Sequence, residues 1–336
     1  MSETLEPLLI RAGSRYRCFG DGLCCTDIHA LGPLSDGEVA RLELVRDEVV
    51  HYNHLVDANV LTTLADGHCI FRTDEGCGLH VPMEGALKPV GCWRYPLGLT
   101  ATPMGGRVIL EHRCPCTLLG ERPLLTEENV REALMSGGEE AKLTANHRLS
   151  LVPLTESDSV SFEEYLPIEK VLLDALASGD VMSALDAEPF PALTEHSWDS
   201  LAEGMLKLPI GGRFEAALQW FGEGIVSRGE KLAKVHPRPW TDAFDRAEAR
   251  TPEPADEMEV FRTFAIDTIW SLFWTEHGSM LRTRQELATR LSVGLGIAKT
   301  LREEGVRADR ASAEAVMILD LVGTSDWWTA AIAEMA

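Results

Sequence analysis

Residues 18–25 read Cys-Phe-Gly-Asp-Gly-Leu-Cys-Cys, and this string decides how the first part of the chain folds. It opens a set of eight cysteines in a chain of 336 residues, and none of them lies beyond Cys116. The members that follow the opening string are Cys69, Cys77, Cys92, Cys114 and Cys116. Clustered thiols in one part of a long chain are typical of metal ligands. We therefore expect this part of the chain to be organised around a metal.

Disulfide bonds are the alternative explanation for clustered cysteines, and they need an oxidising compartment. The segment Met1–Arg17 has no basic start followed by a long apolar stretch, because Leu8-Leu9-Ile10 runs directly into Arg11. The sequence therefore shows no export signal and predicts a cytoplasmic protein. In that compartment thiols stay reduced, which favours metal ligands or redox groups over bridges.

The composition is that of a globular protein, with 45% hydrophobic and 25% charged residues. A formal net charge of −22 repels phosphate backbones and anionic lipid, which argues against nucleic-acid and membrane partners. A basic or lysine-rich partner protein would instead be attracted. The best candidate for a membrane span, Phe261–Trp274, contains Arg262 and Asp267 and is too short and too polar to cross a bilayer.

Tryptophan has the opposite distribution from cysteine, since Trp93 is the only one that lies near the thiols. The two distributions predict two domains with different cores, a cysteine-cluster metal-binding domain at residues 1–150 and a helical domain at residues 151–336. The boundary is placed near residue 150 because small and charged residues dilute the apolar pattern before it. The predicted fold class is α+β and mostly α, with a small metal-centred domain followed by an all-α domain.

Four apolar stripes in the second part recur at helical spacing and predict helices that pack through aromatic faces. They cover residues 168–176, 214–225, 261–273 and 287–298, and Gly179 is placed to end the first helix. In the first part, the four residues 35–38 start with Ser and end with Glu, which predicts a capping box and a helix of about three turns.

The pair Gly-Gly at residues 105–106 lies between two apolar segments and predicts the tight turn of a β-hairpin, because glycine reaches positive φ without strain. In that register Met104 pairs with Arg107. The same pairing would bring Cys92 and Cys114 together at the open end of the hairpin.

The side chains of adjacent cysteines diverge, so we expect Cys24 and Cys25 to serve different metals, or one to bind while the other packs. Eight thiols suffice for one cluster with spare ligands or for two tetrahedral sites. Thiolates favour soft metals, and both zinc and iron–sulfur clusters meet that condition. The sequence alone leaves both open.

The order of these motifs resembles the bacterial cysteine-cluster family with the pattern Cys-x2-Cys-x2-Cys-Cys, whose members are described as zinc- or iron-chelating proteins. The resemblance covers roughly residues 14–120 and rests on three strings. These are the cysteines of residues 18–25, then Cys69-Ile-Phe with Cys77-Gly-Leu-His80, then Lys88-Pro89-x-x-Cys92-x-x-Tyr95-Pro96. Its best-known branch is flagellin lysine N-methylase, and the helical extension after the cysteines is similar to that branch in size.

The resemblance implies an iron–sulfur cluster, of the four-iron type, or zinc, and in the methylase branch S-adenosylmethionine as a second cofactor. One position departs from the family pattern, because Asp21 stands where the second cysteine would be. A carboxylate is an ordinary zinc ligand and a less usual ligand of iron–sulfur clusters. The candidate metal ligands are Cys18, Cys24, Cys25, Cys69, Cys77, Cys92 and Cys114, with Cys116 and Asp21 as weaker candidates.

Three functions follow as hypotheses. The first is a metal-binding protein with an iron–sulfur or zinc centre, and it rests on the cysteines. The second is a protein lysine N-methylase of the flagellin methylase type, and it rests on the resemblance. The third is a structural zinc scaffold for protein interaction. Next to Cys92, Arg94 is a candidate hydrogen-bond donor to cluster sulfurs and Tyr95 a candidate acid.

Overall fold

A computed structural model describes residues 5–54, 56–73, 76–79, 87–135 and 143–335 of the chain. In this part of the protein, helices dominate and strands are short, so the fold is mixed α+β and mostly α. The predicted fold class is confirmed at that level.

Twelve α-helices occur within the described residues. They are α1 Asp36–Glu43, α2 Val90–Arg94, α3 Glu127–Met135, α4 Phe162–Ser178, α5 Val181–Leu185, α6 Trp198–Lys207, α7 Arg213–Ser227, α8 Thr241–Glu248, α9 Glu257–Ser271, α10 Met280–Glu303, α11 Ala308–Gly323 and α12 Asp326–Glu334.

Ten short strands accompany these helices in the same part of the chain. They are β1 Leu8–Leu9, β2 Val50–Asn53, β3 Ala58–Leu61, β4 Arg72–Thr73, β5 Gly76–Cys77, β6 Leu97–Thr102, β7 Gly105–Leu110, β8 His147–Arg148, β9 Val152–Pro153 and β10 Ser159–Val160. The main sheet has the order β1-β7-β6-β8, and three two-stranded ribbons pair β2 with β3, β4 with β5 and β9 with β10.

The four predicted apolar stripes all lie on helices, in α4, α7, α9 and α10. The stripe on α9 is shorter than predicted, because the helix ends at Ser271 and Leu272 takes a left-handed conformation. Gly179 is the C-cap of α4, as predicted. The capping box at residues 35–38 is also confirmed, although α1 has eight residues and is shorter than the three turns expected.

The predicted register of the hairpin is wrong. Strands β6 and β7 pair Thr102 with Gly105, so the turn consists of Pro103 and Met104 rather than of the two glycines. Gly105 and Gly106 instead belong to β7, which pairs with the parallel strand β1. The backbone of Leu5 and Pro7, just before β1, passes so close to these glycines that a side chain at either position would collide with it. Glycine is required here for close backbone approach and not for a turn.

The largest apolar core joins the two halves of the chain. Phe19, Leu23 and Leu119 lie in the same cluster of buried residues as Trp220 and Phe264 from the helices. A second cluster surrounds the β2–β3 ribbon and α1, and a third lies between the main sheet and α3. The division into domains near residue 150 stays a prediction.

No helix in the described part of the chain combines the length and the apolar character needed to cross a membrane.

Candidate metal centre

All eight cysteines are free thiols, and their contacts divide them into two groups. Among the described cysteines, only Cys114 and Cys116 belong to a set of three possible ligand atoms, completed by Asp21, that all lie within 4.8 Å of one another. The first thiol group consists of Cys18, Cys24, Cys114 and Cys116 around the carboxylate of Asp21. The second thiol group consists of Cys25, Cys69, Cys77 and Cys92. Every ligand candidate of the sequence analysis therefore belongs to one of the two groups. His80, the last residue of the Cys77 motif, lies outside the described residues.

The loop that carries the first cysteines is folded around Asp21. Gly20 and Gly22 on either side have φ values of 64° and 78°, a left-handed conformation that favours glycine. The Leu23 N–H donates to Asp21 Oδ1 at 2.9 Å, and the following residues form a single 3-10 turn, Leu23–Cys25. The Asp21 side chain is therefore turned inward, and the residue is only 2% exposed.

The chain segment after β7 brings two thiols to this carboxylate. Cys114 precedes the 3-10 turn Pro115–Thr117, and its sulfur accepts a hydrogen bond from the Cys116 N–H at 3.3 Å. The Cys116 sulfur lies 2.9 Å from Asp21 Oδ2, and the Cys114 sulfur lies 3.9 Å from the same oxygen. All three residues are buried, and together they could hold a metal ion.

The thiols of the first group differ in their ease of ionisation. A hydrogen bond with Cys116 is the main cause that lowers the pKa of Cys18 to about 6. Burial raises the pKa of Cys114 to about 11, while hydrogen bonds with Cys114 and Cys18 raise that of Cys116. Cys18 is thus the thiol of this group that ionises most readily at neutral pH. A metal that binds Cys114 or Cys116 must displace the proton of that thiol.

Cys24 and Cys25 stand at the junction of the two groups, with their sulfur atoms 4.0 Å apart. The hydrogen bond with Cys25 is the main cause that raises the pKa of Cys24, followed by burial and by the charges of Cys25, Cys114 and Asp21. Cys24 is therefore electrostatically coupled to the first group. The two side chains do not diverge as expected, since their sulfurs are 4.0 Å apart, and the prediction that they serve different metals stays a prediction.

The second thiol group packs against the apolar cluster around α1 and the β2–β3 ribbon. Burial raises the pKa of Cys69 to about 11, and the charges of Cys25 and Cys77 contribute. Burial also raises the pKa of Cys92 to about 12, with contributions from Cys25, Cys69 and Cys77. Lys88 opposes this rise at Cys92, so one cation lies within electrostatic range of the group.

Tyr95 lies beside the first group. Burial and then the charge of Cys114 raise the pKa of Tyr95, so the phenol stays protonated, and its buried hydroxyl has no hydrogen-bond partner within the described residues. Arg94 instead donates to the Leu134 carbonyl at 3.0 Å and to Thr144 at 2.5 Å. Two of the Arg94 donors are therefore used by Leu134 and Thr144, and the suggested bond from Arg94 to cluster sulfurs stays a prediction.

A helix of the second half of the chain holds the Asp21 loop in place. Arg246 of α8 donates to the Asp21 carbonyl oxygen from Nε at 2.9 Å and from Nη2 at 2.6 Å. Sequence reasoning did not identify Arg246, because the two residues are 225 positions apart and no local pattern marks their contact.

A cavity of about 410 Å³ begins one residue before Cys114, at Arg113, and extends between α9, α10 and α11. His112 lines this cavity, donates from Nε2 to Asp267 Oδ2 at 3.1 Å, and has a buried Nδ1 without a partner in the described part of the chain. Arg11 binds the other oxygen of Asp267 at 2.5 Å. Polar groups and the Trp274 ring share the wall, which is typical of small-molecule sites.

Comparisons of this chain with family models, with curated proteins and with solved structures give no match.

Proposed function

We propose that this chain is a metalloprotein whose centre is built on the first thiol group. The observation that supports the proposal is the buried contact of the Asp21 carboxylate with the sulfurs of Cys114 and Cys116. A carboxylate buried among thiols is costly unless a positive charge compensates it. An iron or zinc ion that the carboxylate binds directly supplies that charge, and the orphaned hydroxyl of Tyr95 is available to donate a hydrogen bond toward the centre.

We infer that the group is an iron–sulfur cluster rather than zinc. Cys18, Cys24, Cys114 and Cys116 offer the thiolates that such a cluster takes, and Asp21 lies among them as a less usual carboxylate ligand. The resemblance to the cysteine-cluster family favours the same choice. When bound, the cluster supplies one-electron transfer. Free thiols in this number also need a reducing compartment, so we propose a cytoplasmic location.

The decisive experiment is anaerobic purification followed by iron, zinc and acid-labile sulfide analysis. The wild-type protein should contain iron and sulfide in equal amounts, with broad visible absorption that dithionite bleaches. Cys116→Ser should lower the iron content, whereas Thr117→Ser, in the same 3-10 turn, should not. Zinc without sulfide would favour the structural scaffold, and a protein without either metal would overturn the proposal.

A second candidate function is a protein lysine N-methyltransferase that uses S-adenosylmethionine. The cavity lined by His112 and Arg113 favours it, because a purely structural protein has no need of a mixed polar and aromatic pocket of about 410 Å³. The net charge of −22 would attract a basic or lysine-rich acceptor protein.

This candidate is tested by calorimetric titration of the metal-loaded protein with S-adenosylmethionine and by methyl transfer to a lysine-rich acceptor. Thr324→Trp, which fills the cavity, should abolish binding, whereas Thr155→Trp on the exposed β9–β10 turn should not. Absence of binding to the wild-type protein would remove the methyltransferase and leave the metalloprotein untouched.

A further inference from the structure

We propose that the second thiol group, Cys25, Cys69, Cys77 and Cys92, is a separate metal centre next to the first. This inference rests on the proposed function, because both centres need the same supply of metal. It extends that function from one site to two, and it assigns a role to the four cysteines that lie away from Asp21.

Three of the four thiols belong to one backbone-linked unit. The Cys69 N–H donates to the Cys25 carbonyl at 2.9 Å, which joins the end of the first loop to the segment after β3. The Cys69 carbonyl in turn accepts from the Arg72 N–H at 2.9 Å, and the β4–β5 ribbon sets Arg72 directly opposite Cys77. The main chain thereby fixes the spacing of these three residues without any help from their side chains.

The fourth thiol is brought in by α2, which is tied to α1. Glu38 caps α1 by accepting from the Ser35 N–H and hydroxyl at 2.8 Å, and its second oxygen accepts from the Val90 N–H at 2.8 Å. Val90 is the first residue of α2, and Cys92 lies two positions later. Glu38 is 8% exposed, so this connection is largely shielded from water.

The two thiol groups lie in different apolar environments. Cys114 and Cys116 are part of the large core that includes the helices, whereas all four thiols of the second group pack in or against the cluster around Leu42 and Leu61. The adjacent pair at residues 24–25 lies where the two environments meet. One metal centre takes four thiolates, so eight thiols divided in this way match two centres and not one with spare ligands.

Cations near the second group supply the charge balance that a centre with four thiolates needs. A zinc ion with four thiolates carries about two negative charges, and iron–sulfur centres of this type are also anionic. Lys88 and Arg72 both act on the charge of Cys25, and Lys88 also acts on Cys92. The Lys88 ammonium lies 4.4 Å from the Trp93 ring, which places it beside α2.

The test is the metal content of single variants purified in parallel. Wild-type protein should hold about eight iron atoms per chain if both centres are four-iron clusters, or two metal ions if both bind zinc. Cys92→Ser and Cys77→Ser should each lose about half of the metal, and Cys116→Ser should lose the other half. If Cys116→Ser loses all of its metal and Cys92→Ser loses none, the second centre is overturned. The proposed function, which rests on the first thiol group, then still stands. Absence of metal from the wild type would overturn both.

A measurement on the wild-type protein guards against variants that fail to fold. Cys25 and Cys77 are only partly buried, and the pKa of Cys25 is lowered by its hydrogen bond with Cys24, whereas burial raises that of Cys92. The sulfurs of Cys25 and Cys77 should therefore react with iodoacetamide unless a metal occupies them. We expect these two thiols to be protected in the metal-loaded protein and at least tenfold faster to react after chelation, as mapped by mass spectrometry. Equal rates in the two states would show that the second thiol group binds no metal.

Discussion

At Asp21 the chain departs from the cysteine pattern it resembles, and the carboxylate still reaches the thiols. Its Oδ2 lies 2.9 Å from the Cys116 sulfur, and its Oδ1 is held by the Leu23 N–H. Asp21→Asn keeps the shape and this hydrogen bond but removes the negative charge. We expect the metal affinity to fall about 10–100-fold, the range found when groups around metal ligands are changed.

Competition with a chelator measures this change. Asp47→Asn, an exposed residue after α1, is the control and should leave the affinity unchanged. A metal affinity in Asp21→Asn equal to that of the wild type would show that the charge of Asp21 does not contribute to metal binding.

Asp267 gives the protein an acid-sensitive component of stability. Burial raises its pKa, but the charge of Arg11 and the hydrogen bond from His112 outweigh burial and hold the pKa below its usual range. A depressed carboxyl pKa stabilises the fold above the unfolded value of about 3.9, and this stability is lost as the pH falls through the lower folded value. Asp267→Asn should remove this component and cost about 3–5 kcal/mol near pH 7, because it breaks a buried ion pair.

Urea unfolding of the wild type and of Asp267→Asn from pH 7 down to pH 3 checks both parts of the prediction. The difference in unfolding free energy between the two proteins should be constant near neutral pH and shrink below about pH 4. A difference that does not change with pH would show that packing, and not the charge, explains the loss.

At the scale of elements, the main sheet is joined to the helices by a buried ion pair. Arg107 of β7 binds both oxygens of Glu169 on α4 at 2.6 Å, and its guanidinium lies 4.1 Å from the Trp270 ring of α9. The Arg107 and Glu169 side chains are 1% and 4% exposed. Removal of one partner leaves an unpaired buried charge, so Glu169→Ala should lower the unfolding free energy by about 3–5 kcal/mol.

The same helix offers a matched control. Lys170 and Asp174 form an ion pair in which both side chains are mostly exposed. Asp174→Ala should therefore cost less than about 0.5 kcal/mol in the same urea titration. Similar losses for the two variants would mean that Glu169 acts through helix formation and not through Arg107.

The helices could be predicted because the signals that form them are local. Ser35 with Glu38, the stripe on α4 and Gly179 all lie within a few residues of the feature they determine. The hairpin register could not be predicted in this way, since the requirement for glycine at residues 105–106 comes from the distant segment before β1.

The same distinction between local signals and distant contacts applies to the candidate site. The ligand candidates follow from residue type and spacing, and Asp21 follows from its place in a pattern. The contacts of Arg246 with Asp21 and of His112 with Asp267 join residues more than 150 positions apart, and no periodicity in the sequence records them.

At the scale of the whole molecule, metal and helices are expected to contribute to separate parts of the stability. The helices α7, α10 and α11 pack in the large core and have no thiol. The segments at residues 18–25 and 69–77 contribute only two apolar side chains each, besides cysteine, to the apolar clusters: Phe19 with Leu23, and Ile70 with Phe71. Removal of the metal should therefore expose their amides to hydrogen exchange while the three helices stay protected.

Hydrogen exchange with mass spectrometry, before and after anaerobic chelation, measures this difference. Return of protection after the metal and sulfide are restored is the control for irreversible damage. Equal loss of protection in α10 and in the first loop would show that the molecule unfolds as one unit when the metal leaves.

The two bonds from Arg246 to the Asp21 carbonyl have a consequence for the order of events during synthesis. Asp21 and Arg246 are 225 residues apart in the sequence, and ribosomes add about 5–20 residues each second. Synthesis of Arg246 therefore follows synthesis of the Asp21 loop by roughly 11–45 s. During this interval the thiols of the first loop are exposed on a nascent chain. If the proposed metal centre is assembled on the nascent chain, this interval is the time in which metal can be delivered before Arg246 of α8 binds the loop.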